Sequence, residues 1–398
     1  MEKNDIVIIG GGFAGASLAH KLSRLDSSLE ITLIERNKLG GKPVSAFTFT
    51  DIVDNLGIRN SVKQYYNQIE ITSTLGAKEI YAYDRDVFSL IDYKKACEEL
   101  VGKSGCQVIF DEVKSIKAGK VSLGNEVIDA KIIVDASGRG YKFRKELKLD
   151  VPKIENHLYF KKLTHCNIPN PKSLHLIFGD IGTGGGWFYP INENECEAGV
   201  AERITKLAGN EKKDISNREK INLEQLLNYP AYSEMLEGSK SESEAMVYYP
   251  YEPVKHVVKG NVMFLGDTAG MVHPIFGMGI HYIDRIGTLC AEYCAKASHG
   301  NIALLREYQN AWDSMLKSDM NTWIWGMTYF DLNIKQINKI IEIRSNSDID
   351  KMNMLSALRG HTGKNYEGDV LEVPLGLFLS LIKNVLKYKL KYKLKYRC

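Results

Sequence analysis

A glycine-rich turn near the start of the chain has the residue types and the spacing needed to bind a dinucleotide. Residues 5–9 read as a buried strand, and Gly10, Gly12 and Gly15 follow at the spacing G-x-G-x-x-G. Gly10 permits the tight turn, Gly12 lets a pyrophosphate approach the backbone, and Gly15 lets the next helix pack on the strand. The free N–H groups at the start of that helix favour phosphate. The predicted cofactor contacts are Gly10, Gly12, Phe13, Ala14 and Gly15.

An acidic residue stands where a ribose needs it. The second apolar strand, 30–34, ends on Glu35, twenty residues after Gly15. An acid at this distance accepts hydrogen bonds from ribose hydroxyls. Arg36 opens a glycine-rich connection that we expect to lie over the edge of the cofactor. A G-x-G-x-x-G sequence alone is common, but strand, glycines, helix, second strand and terminal acid together are specific for dinucleotide binding.

Two further stretches are predicted to lie at the same cleft. Asp84 and Arg85 open a predicted helix, and an arginine at a helix start can reach into a cofactor cleft; a solvated surface arginine is the alternative. The strand 131–135 ends on Asp135, with Gly138 three residues later. This places polar groups at the carboxyl edge of a sheet, where ligands of open α/β sheets bind. An ordinary boundary between strand and turn is the alternative.

A second glycine loop lies far along the chain. The strand 261–265 leads into a loop rich in glycine, and a long helix is predicted from Gly279 to about Ala297. Asp267 can accept a hydrogen bond from a ribityl hydroxyl, and the glycines let backbone N–H groups meet phosphate and flavin oxygens. The predicted contacts are Gly266, Asp267, Pro274, Gly277, Met278, Gly279 and Ile280. Because the two loops are about 260 residues apart, the cofactor domain is predicted to be discontinuous.

The order of elements predicts an α/β fold with separate units. Strands alternate with helices around the glycine loops, whereas the middle of the chain is rich in strands typical of an antiparallel sheet. We expect a cofactor domain from 1–50, 80–150 and 255–300, an antiparallel-sheet substrate domain from 51–79 and 151–254, and a helical C-terminal region from 301–398.

Length and composition exclude several classes of protein. The chain has 398 residues, 44% of them hydrophobic, and no stretch of 18 apolar residues that would span a bilayer. The first strand begins too near Met1 to leave room for a signal peptide. The seven cysteines are scattered without C-x-x-C spacing, and Cys290 and Cys294 fit buried small side chains better than a redox pair. We expect a cytoplasmic protein with no nucleic-acid partner.

The end of the chain is strongly basic. Residues 383–397 hold seven Lys or Arg side chains and no acid, so the rest of the chain has a net charge of −4. Residues 387–396 alternate lysine with apolar residues; as a strand all five lysines share one face, whereas a helix scatters them. Behind the apolar run 374–382, such a tail suits an anionic membrane surface. A solvated tail is the alternative, and an acidic ferredoxin is another candidate partner.

Taken together, these motifs resemble the FAD-dependent oxidoreductases of the aromatic-hydroxylase superfamily. Within that superfamily, their order is most similar to the geranylgeranyl reductase family of archaea and plants. The loop 266–280 is similar to the family's GD-A-A-G…P-x-T-G-G-G-I run, and 185–190 to its Y-x-W-x-F-P motif. The chain departs from the family at Gly185, which replaces the tyrosine, and at 43–46, which lack a cysteine.

The resemblance implies a Rossmann-like, GR2-type FAD-binding domain and a reaction. Family members saturate isoprenoid double bonds of a lipid or prenylated small molecule, with hydride from reduced FAD. The expected substrate contacts are Trp187, Tyr189, Pro190 and Phe276. His273 is the expected proton donor, because imidazole titrates near neutral pH. The electron donor is expected to be NADPH or a reduced ferredoxin, since the sequence shows one dinucleotide motif.

Two alternatives stay open at this stage. One is a flavin monooxygenase that inserts oxygen into an apolar or aromatic substrate. The other is a lipid- or quinone-binding flavoprotein without turnover. A flavin-dependent halogenase is less expected, because its W-x-W-x-I-P motif needs a tryptophan at Gly185.

Overall fold

A computed structural model describes residues 4–41, 44–117, 119–205, 211–273, 277–346 and 374–396. The strands of this part are β1 (Asn4–Ile9), β2 (Ile31–Glu35), β3 (Ser45–Phe49), β4 (Val62–Tyr66), β5 (Gln68–Ser73), β6 (Lys78–Ala82), β7 (Phe88–Asp92), β8 (Gln107–Phe110), β9 (Val113–Lys117), β10 (Lys120–Leu123), β11 (Glu126–Asp135), β12 (Ile154–Thr164), β13 (Ser173–Phe178), β14 (Gly186–Asn192), β15 (Glu195–Thr205), β16 (Lys240–Pro250), β17 (Val258–Lys259) and β18 (Val262–Phe264). Its α-helices are α1 (Phe13–Leu25), α2 (Thr50–Leu56), α3 (Tyr93–Ser104), α4 (Lys142–Glu146), α5 (Glu211–Leu227), α6 (Pro230–Leu236), α7 (Ile280–Ser298), α8 (Leu305–Phe330), α9 (Ile334–Ser345) and α10 (Leu375–Tyr396).

The first sheet positions both glycine loops. Its order is β17-β18-β11-β1-β2-β8, with β9 and β10 forming a ribbon on β11. The strands β8, β2, β1, β11 and β18 are parallel, and Ile9 pairs with both Ile34 and Asp135, which in turn pairs with Phe264. The carboxyl ends of β1, β2, β11 and β18 therefore meet at one edge of the sheet.

Helices from distant parts of the chain cover this sheet. α1 packs between α3 and α7. Lys21 of α1 donates to Asp284 of α7 across 2.6 Å, although the two residues are 263 positions apart. The predicted fold class, with a cofactor domain that is discontinuous in sequence, is confirmed. The exact domain boundaries stay a prediction.

Two other sheets complete the described part of the molecule. The second has the order β16-β12-β15-β14-β13-β5-β6 and is antiparallel except for the parallel pair β13–β5. The third is the antiparallel sheet β3-β7-β4. Together they form a wall beside the carboxyl edge of the first sheet. The residues that line the cavity described below come from these two sheets and from loops and helix starts, some of which follow strands of the first sheet.

The structure corrects one local prediction and decides one alternative that the sequence left open. The helix predicted to open at Asp84 begins at Tyr93, after β7. The basic tail is the helix α10, so its lysines are scattered around the axis. None of the helices in the described ranges is long and apolar enough to cross a membrane.

Candidate active site

The first glycine turn is so crowded that side chains are excluded from it. Gly10 has φ +107°, and a Cβ there would lie 2.4 Å from the carbonyl oxygen of Ala136. A Cβ on Gly15 would lie 2.0 Å from the carbonyl oxygen of Gly10. Glycine at these positions therefore lets α1 start directly against β1 and β11. Phe13 and Ala14 are buried in the first turn of α1.

Glu35 is hydrogen-bonded to the first glycine turn. Its two carboxylate oxygens accept hydrogen bonds from the backbone N–H groups of Gly11 at 2.7 Å and Asn37 at 2.9 Å. These bonds fix the carboxylate at the end of β2 and leave each oxygen with a further lone pair for a ribose hydroxyl. Arg36 is exposed, and its contact with the cofactor stays a prediction.

A tyrosine takes the place that the sequence reasoning gave to Arg85. Arg85 is exposed in a loop before β7, whereas α3 begins at Tyr93, with Asp92 as its N-cap accepting from the N–H of Lys95 at 2.9 Å. The Tyr93 hydroxyl accepts a hydrogen bond from the N–H of Phe13 at 3.0 Å. Tyr93 therefore lies over the first turn of α1, where a pyrophosphate is expected. The sequence signal for this helix start is Asp92, an N-cap residue followed by apolar residues at helical spacing.

The loop after β11 carries a buried carboxyl group. Asp135 is fully buried, and its Oδ1 accepts from the Ser137 N–H at 3.0 Å and the Ser137 hydroxyl at 2.6 Å. Burial raises its pKa to about 6. Gly138 follows with φ +77°, half-buried and with open space around it. Thr268 donates to the backbone oxygen of Asp135 at 2.9 Å, which ties this loop to the second glycine loop.

The two glycine loops meet in space. Gly266 has φ +73°, and a Cβ there would lie 2.7 Å from the Cβ of Ala14. Gly277 has φ +65°, and a Cβ there would lie 2.3 Å from the Tyr249 hydroxyl oxygen. α7 then starts at Ile280, with Gly279 as its N-cap. The predicted contacts from both ends of the chain are thus brought to one place.

Asp267 lies at the junction of the two loops and lines a cavity. Burial raises its pKa to about 6. A hydrogen-bond donor would stabilise the ionised form of a carboxyl group in such a position. A ribityl hydroxyl would provide one, which agrees with the role predicted from the sequence.

A cavity of about 560 Å³ joins the second glycine loop to the second sheet. Its loop side is lined by Tyr93, Asp267, Gly277, Met278, Gly279 and Ile280. Its opposite side is lined mainly by apolar and aromatic residues, among them Phe47, Phe160, Leu176, Phe178, Trp187, Tyr189 and Met246. Two predicted substrate contacts, Trp187 and Tyr189, therefore face the predicted cofactor contacts across one cavity.

Other predicted contacts lie elsewhere. Pro190 is buried behind the wall, where its carbonyl oxygen accepts from the Tyr66 hydroxyl at 2.6 Å. Pro274 and Phe276 lie outside the described residues. Gly185 has φ +76°, and a Cβ there would lie 2.7 Å from the carbonyl oxygen of Ile177. The tyrosine that the family carries at this position would therefore not fit without a shift of β13.

His273 is fully buried and is not among the residues that line the cavity. Its N–H donates to the carbonyl oxygen of Met278 at 2.8 Å, and its carbonyl oxygen accepts from Gly277 at 3.0 Å. These bonds shape the second glycine loop. The proton-donor role of His273 stays a prediction, and its burial favours a structural role instead.

A charged trio that the sequence reasoning missed stands in the cavity wall. Ser45 and Glu197 line the cavity, and Lys63 reaches them from β4. The Lys63 ammonium donates to the Ser45 hydroxyl at 2.6 Å and lies 3.3 Å from the Glu197 carboxylate, and the Ser45 hydroxyl also donates to Glu197. No sequence signal links them, because they are separated by up to 152 residues and meet only through packing of the sheets.

Two protein-family models match this chain. The one described as pyridine nucleotide-disulphide oxidoreductase matches residues 4–185, and the one described as squalene epoxidase matches residues 129–285. Among curated relatives, the digeranylgeranylglycerophospholipid reductase of Methanococcus vannielii is 24% identical over 86% of this chain and 90% of its own. The reductase of the same name from Sulfolobus acidocaldarius is 23% identical over 74% of this chain and 68% of its own.

Solved structures share the fold. A geranylgeranyl bacteriochlorophyll reductase-like protein from Thermoplasma acidophilum has a TM-score of 0.79 and 17% identity, covering 98% of this chain and 100% of the other. A flavin-dependent brominase has a TM-score of 0.74 and 14% identity. The match covers 97% of this chain and 100% of the brominase. At these identities the likeness concerns the fold alone.

The protein that folds in this way and matches these families is an FAD-dependent oxidoreductase. The glycine turns and the Asp267 carboxyl group, which lines the cavity, fit that cofactor. The resemblance to the geranylgeranyl reductases, predicted from the order of the motifs, is confirmed by the relatives and by the shared fold.

Proposed function

We propose that the protein is an FAD-dependent reductase that saturates isoprenoid double bonds of a lipid or a prenylated small molecule. The observation that carries this proposal is the cavity that joins the predicted cofactor contacts to an apolar, aromatic wall. A long hydrocarbon substrate needs such a wall, because it offers no polar groups for recognition. The names of the curated relatives support the same substrate class.

The cofactor would be held by the residues already described. Gly10, Gly12 and the first turn of α1 would receive the pyrophosphate, Glu35 the ribose, and Asp267 the ribityl chain. When bound, FAD supplies the hydride chemistry. The protein's part is to bind, to orient and to exclude water.

The aromatic wall would keep the reacting double bond dry and fixed in position. The ring of Tyr189 stacks on Phe47 at 5.6 Å and lies 6.1 Å from Trp187. A Cβ on Gly199 would lie 2.3 Å from the Trp187 ring, so the indole lies directly on the backbone of β15. Rings held in this way orient an alkene without any hydrogen bond.

We propose the trio of Ser45, Lys63 and Glu197 as the proton source. Saturation of an alkene needs one proton in addition to the hydride. The Ser45 hydroxyl, which donates to Glu197 in the structure, would turn its hydrogen toward the substrate, and the Lys63 ammonium at 2.6 Å would return a proton to its oxygen. Glu197 would hold the ammonium in place. Ser45 lies in the segment 43–46, which lacks the family's cysteine.

Substitutions in the trio test this assignment. Lys63→Met and Ser45→Ala are expected to lower kcat about 10²-fold, the low end of general acid catalysis, without loss of bound FAD. Ser45→Cys is expected to retain more activity than Ser45→Ala, because a thiol can also donate a proton. Lys161→Met, which breaks the Lys161–Glu224 pair outside this cavity, is the matched control. Unchanged kcat in Lys63→Met would exclude the trio. His273→Ala belongs to the same series and is expected to affect folding more than kcat.

Bound material gives a direct test of the substrate class. Mass spectrometry of molecules extracted from the purified protein is expected to show a polyprenyl chain. An aromatic acid in its place would contradict the proposal. The same extract reports whether FAD is present.

The reductant and the place of action are part of the proposal. We propose NADPH or a reduced ferredoxin as the electron donor, and anaerobic bleaching of the bound flavin by each tells them apart. A peripheral position at a membrane would give the enzyme access to a lipid substrate.

A flavin monooxygenase is the second candidate, because residues 129–285 match the squalene epoxidase model. Oxygen consumption coupled to a hydroxylated or epoxidised product would favour it. Reduction of a double bond under anaerobic conditions would exclude it as the main activity.

A further inference from the structure

The outer face of α10 is apolar. Phe378, Leu379, Ile382, Leu386 and Leu390 expose 48, 56, 40, 60 and 62% of their surface. They are five of the twelve large hydrophobic residues that are exposed in the described part of the chain. The last four are spaced by three or four residues and therefore form one stripe along the helix. We call these five residues the outer stripe.

The opposite face holds α10 on the body of the protein. Leu377, Tyr388 and Tyr392 are 6, 5 and 1% exposed. The Tyr388 hydroxyl donates to the carboxylate of Asp331 at 2.7 Å. The outer stripe is therefore not the face of a detached helix, because a separate set of residues already packs α10 against α8.

The charge around the outer stripe is positive. Residues 374–396 contain no acid. Lys383 and Lys389 are exposed and flank the stripe on the two sides of the helix. Lys387 and Lys391 point toward the body, where they lie 2.8 Å from Asp331 and 3.7 Å from Glu252. Of the four lysines whose side chains the structure describes, two thus hold the helix on the body and two face outward.

We propose that the outer stripe docks on an anionic lipid surface. Apolar side chains in a row enter the boundary between headgroups and acyl chains, and flanking lysines contact the phosphates. A second copy of the chain is disfavoured, because it would bring the positively charged lysines of two stripes together. An acidic protein would satisfy the lysines but would not need five exposed apolar side chains. The inference deepens the proposed function, since such a surface would deliver an isoprenoid lipid, but its test does not require turnover.

The experiment is sedimentation of the full-length, FAD-loaded protein with lipid vesicles. Binding is expected to vesicles of phosphatidylcholine with phosphatidylglycerol, to be much weaker with phosphatidylcholine alone, and to fall as salt is raised. Leu386→Asp with Leu390→Asp is expected to weaken binding at least about tenfold. Lys383→Glu with Lys389→Glu is expected to do the same on anionic vesicles. These four side chains are exposed, so the packed face of α10 is untouched.

Two matched variants control for general effects. Ile221→Asp changes an apolar residue that is 57% exposed on α5, and Lys117→Glu changes an exposed lysine at the end of β9. Both are expected to bind as the unchanged protein does. Equal binding of the stripe variants and the controls would overturn the proposal. So would stripe variants that dissociate a dimer while leaving vesicle binding unchanged, which would show that a second copy covers the stripe.

Discussion

At the scale of single residues, Tyr93 is a candidate contact for the cofactor. Its hydroxyl accepts from the N–H of Phe13, in the first turn of α1, and still has its own hydrogen to donate. A phosphate oxygen at the start of α1 would be its natural acceptor. An arginine was expected at this helix start, whereas the structure places the neutral Tyr93 there.

Tyr93→Phe tests this contact. The substitution keeps the ring and removes the hydroxyl, so we expect FAD to bind up to about tenfold more weakly, the effect of one hydrogen bond. Titration of the FAD-free protein with FAD, followed by flavin fluorescence, measures the change. Arg85→Ala is the companion variant and is expected to bind FAD normally. If Arg85→Ala weakens FAD binding and Tyr93→Phe does not, Arg85 is the contact instead.

Asp135 makes stability depend on pH. Its pKa is raised by burial to about 6, above the ordinary value of 3.8. The folded state therefore binds more protons than the unfolded state between these values, and stability falls as pH rises through this window. Above about pH 6 the buried, ionised carboxylate lowers the free energy of unfolding by its full amount, about 3 kcal/mol. Asp135→Asn is expected to remove this destabilisation.

Urea unfolding of the FAD-free protein at several pH values measures this effect. The variant is expected to gain stability over the unchanged protein near neutral pH and to show no gain in acid. The amide oxygen of the new side chain can still accept from Ser137. A variant that is less stable at neutral pH would mean that Asp135 is ionised and paired in the folded protein.

At the scale of elements, the first strand–turn–helix unit is the part that the sequence predicts best. Each of its signals is local: β1 is continuous in apolar residues, and Gly10 and Gly15 are required by contacts within the turn itself. Gly15→Ala places a Cβ 2.0 Å from the Gly10 oxygen. We expect loss of bound FAD and a destabilisation of about 1–3 kcal/mol.

Gly102→Ala is the matched control for this prediction. Gly102 lies in α3, and a Cβ there meets nothing within 4 Å. Alanine is the better helix former, so this variant is expected to keep FAD and to gain up to about 1 kcal/mol. Thermal unfolding and the flavin absorbance of both variants give the comparison. Equal FAD content in the two would show that the turn tolerates a side chain.

Two elements were decided by contacts that the sequence does not show. Residues 387–396 alternate with a period of two, yet the tail is helical because Leu377, Tyr388 and Tyr392 bury one face of α10. The stretch 88–92 pairs with β3 and β4, which delays the helix to Tyr93. In both cases tertiary packing outweighs local pattern.

At the scale of the whole molecule, the site is made by parts that are distant in the chain. Gly266 lies against Ala14, and Ser45 meets Glu197 across two sheets. The contact between the two glycine loops was predictable, because both loops carry the same kind of motif. The contact between Ser45 and Glu197 was not, because a serine, a lysine and a glutamate in unrelated strands form no pattern.

The central claim is that this assembly reduces a carbon–carbon double bond of an isoprenoid. Its most direct test is to reduce the FAD-loaded protein without oxygen, add a geranylgeranyl lipid, and follow flavin absorbance and lipid mass together. We expect the flavin to be reoxidised while the lipid gains two hydrogens for each double bond saturated. A flavin that stays reduced beside an unchanged lipid, or a protein that takes up no FAD, would contradict it.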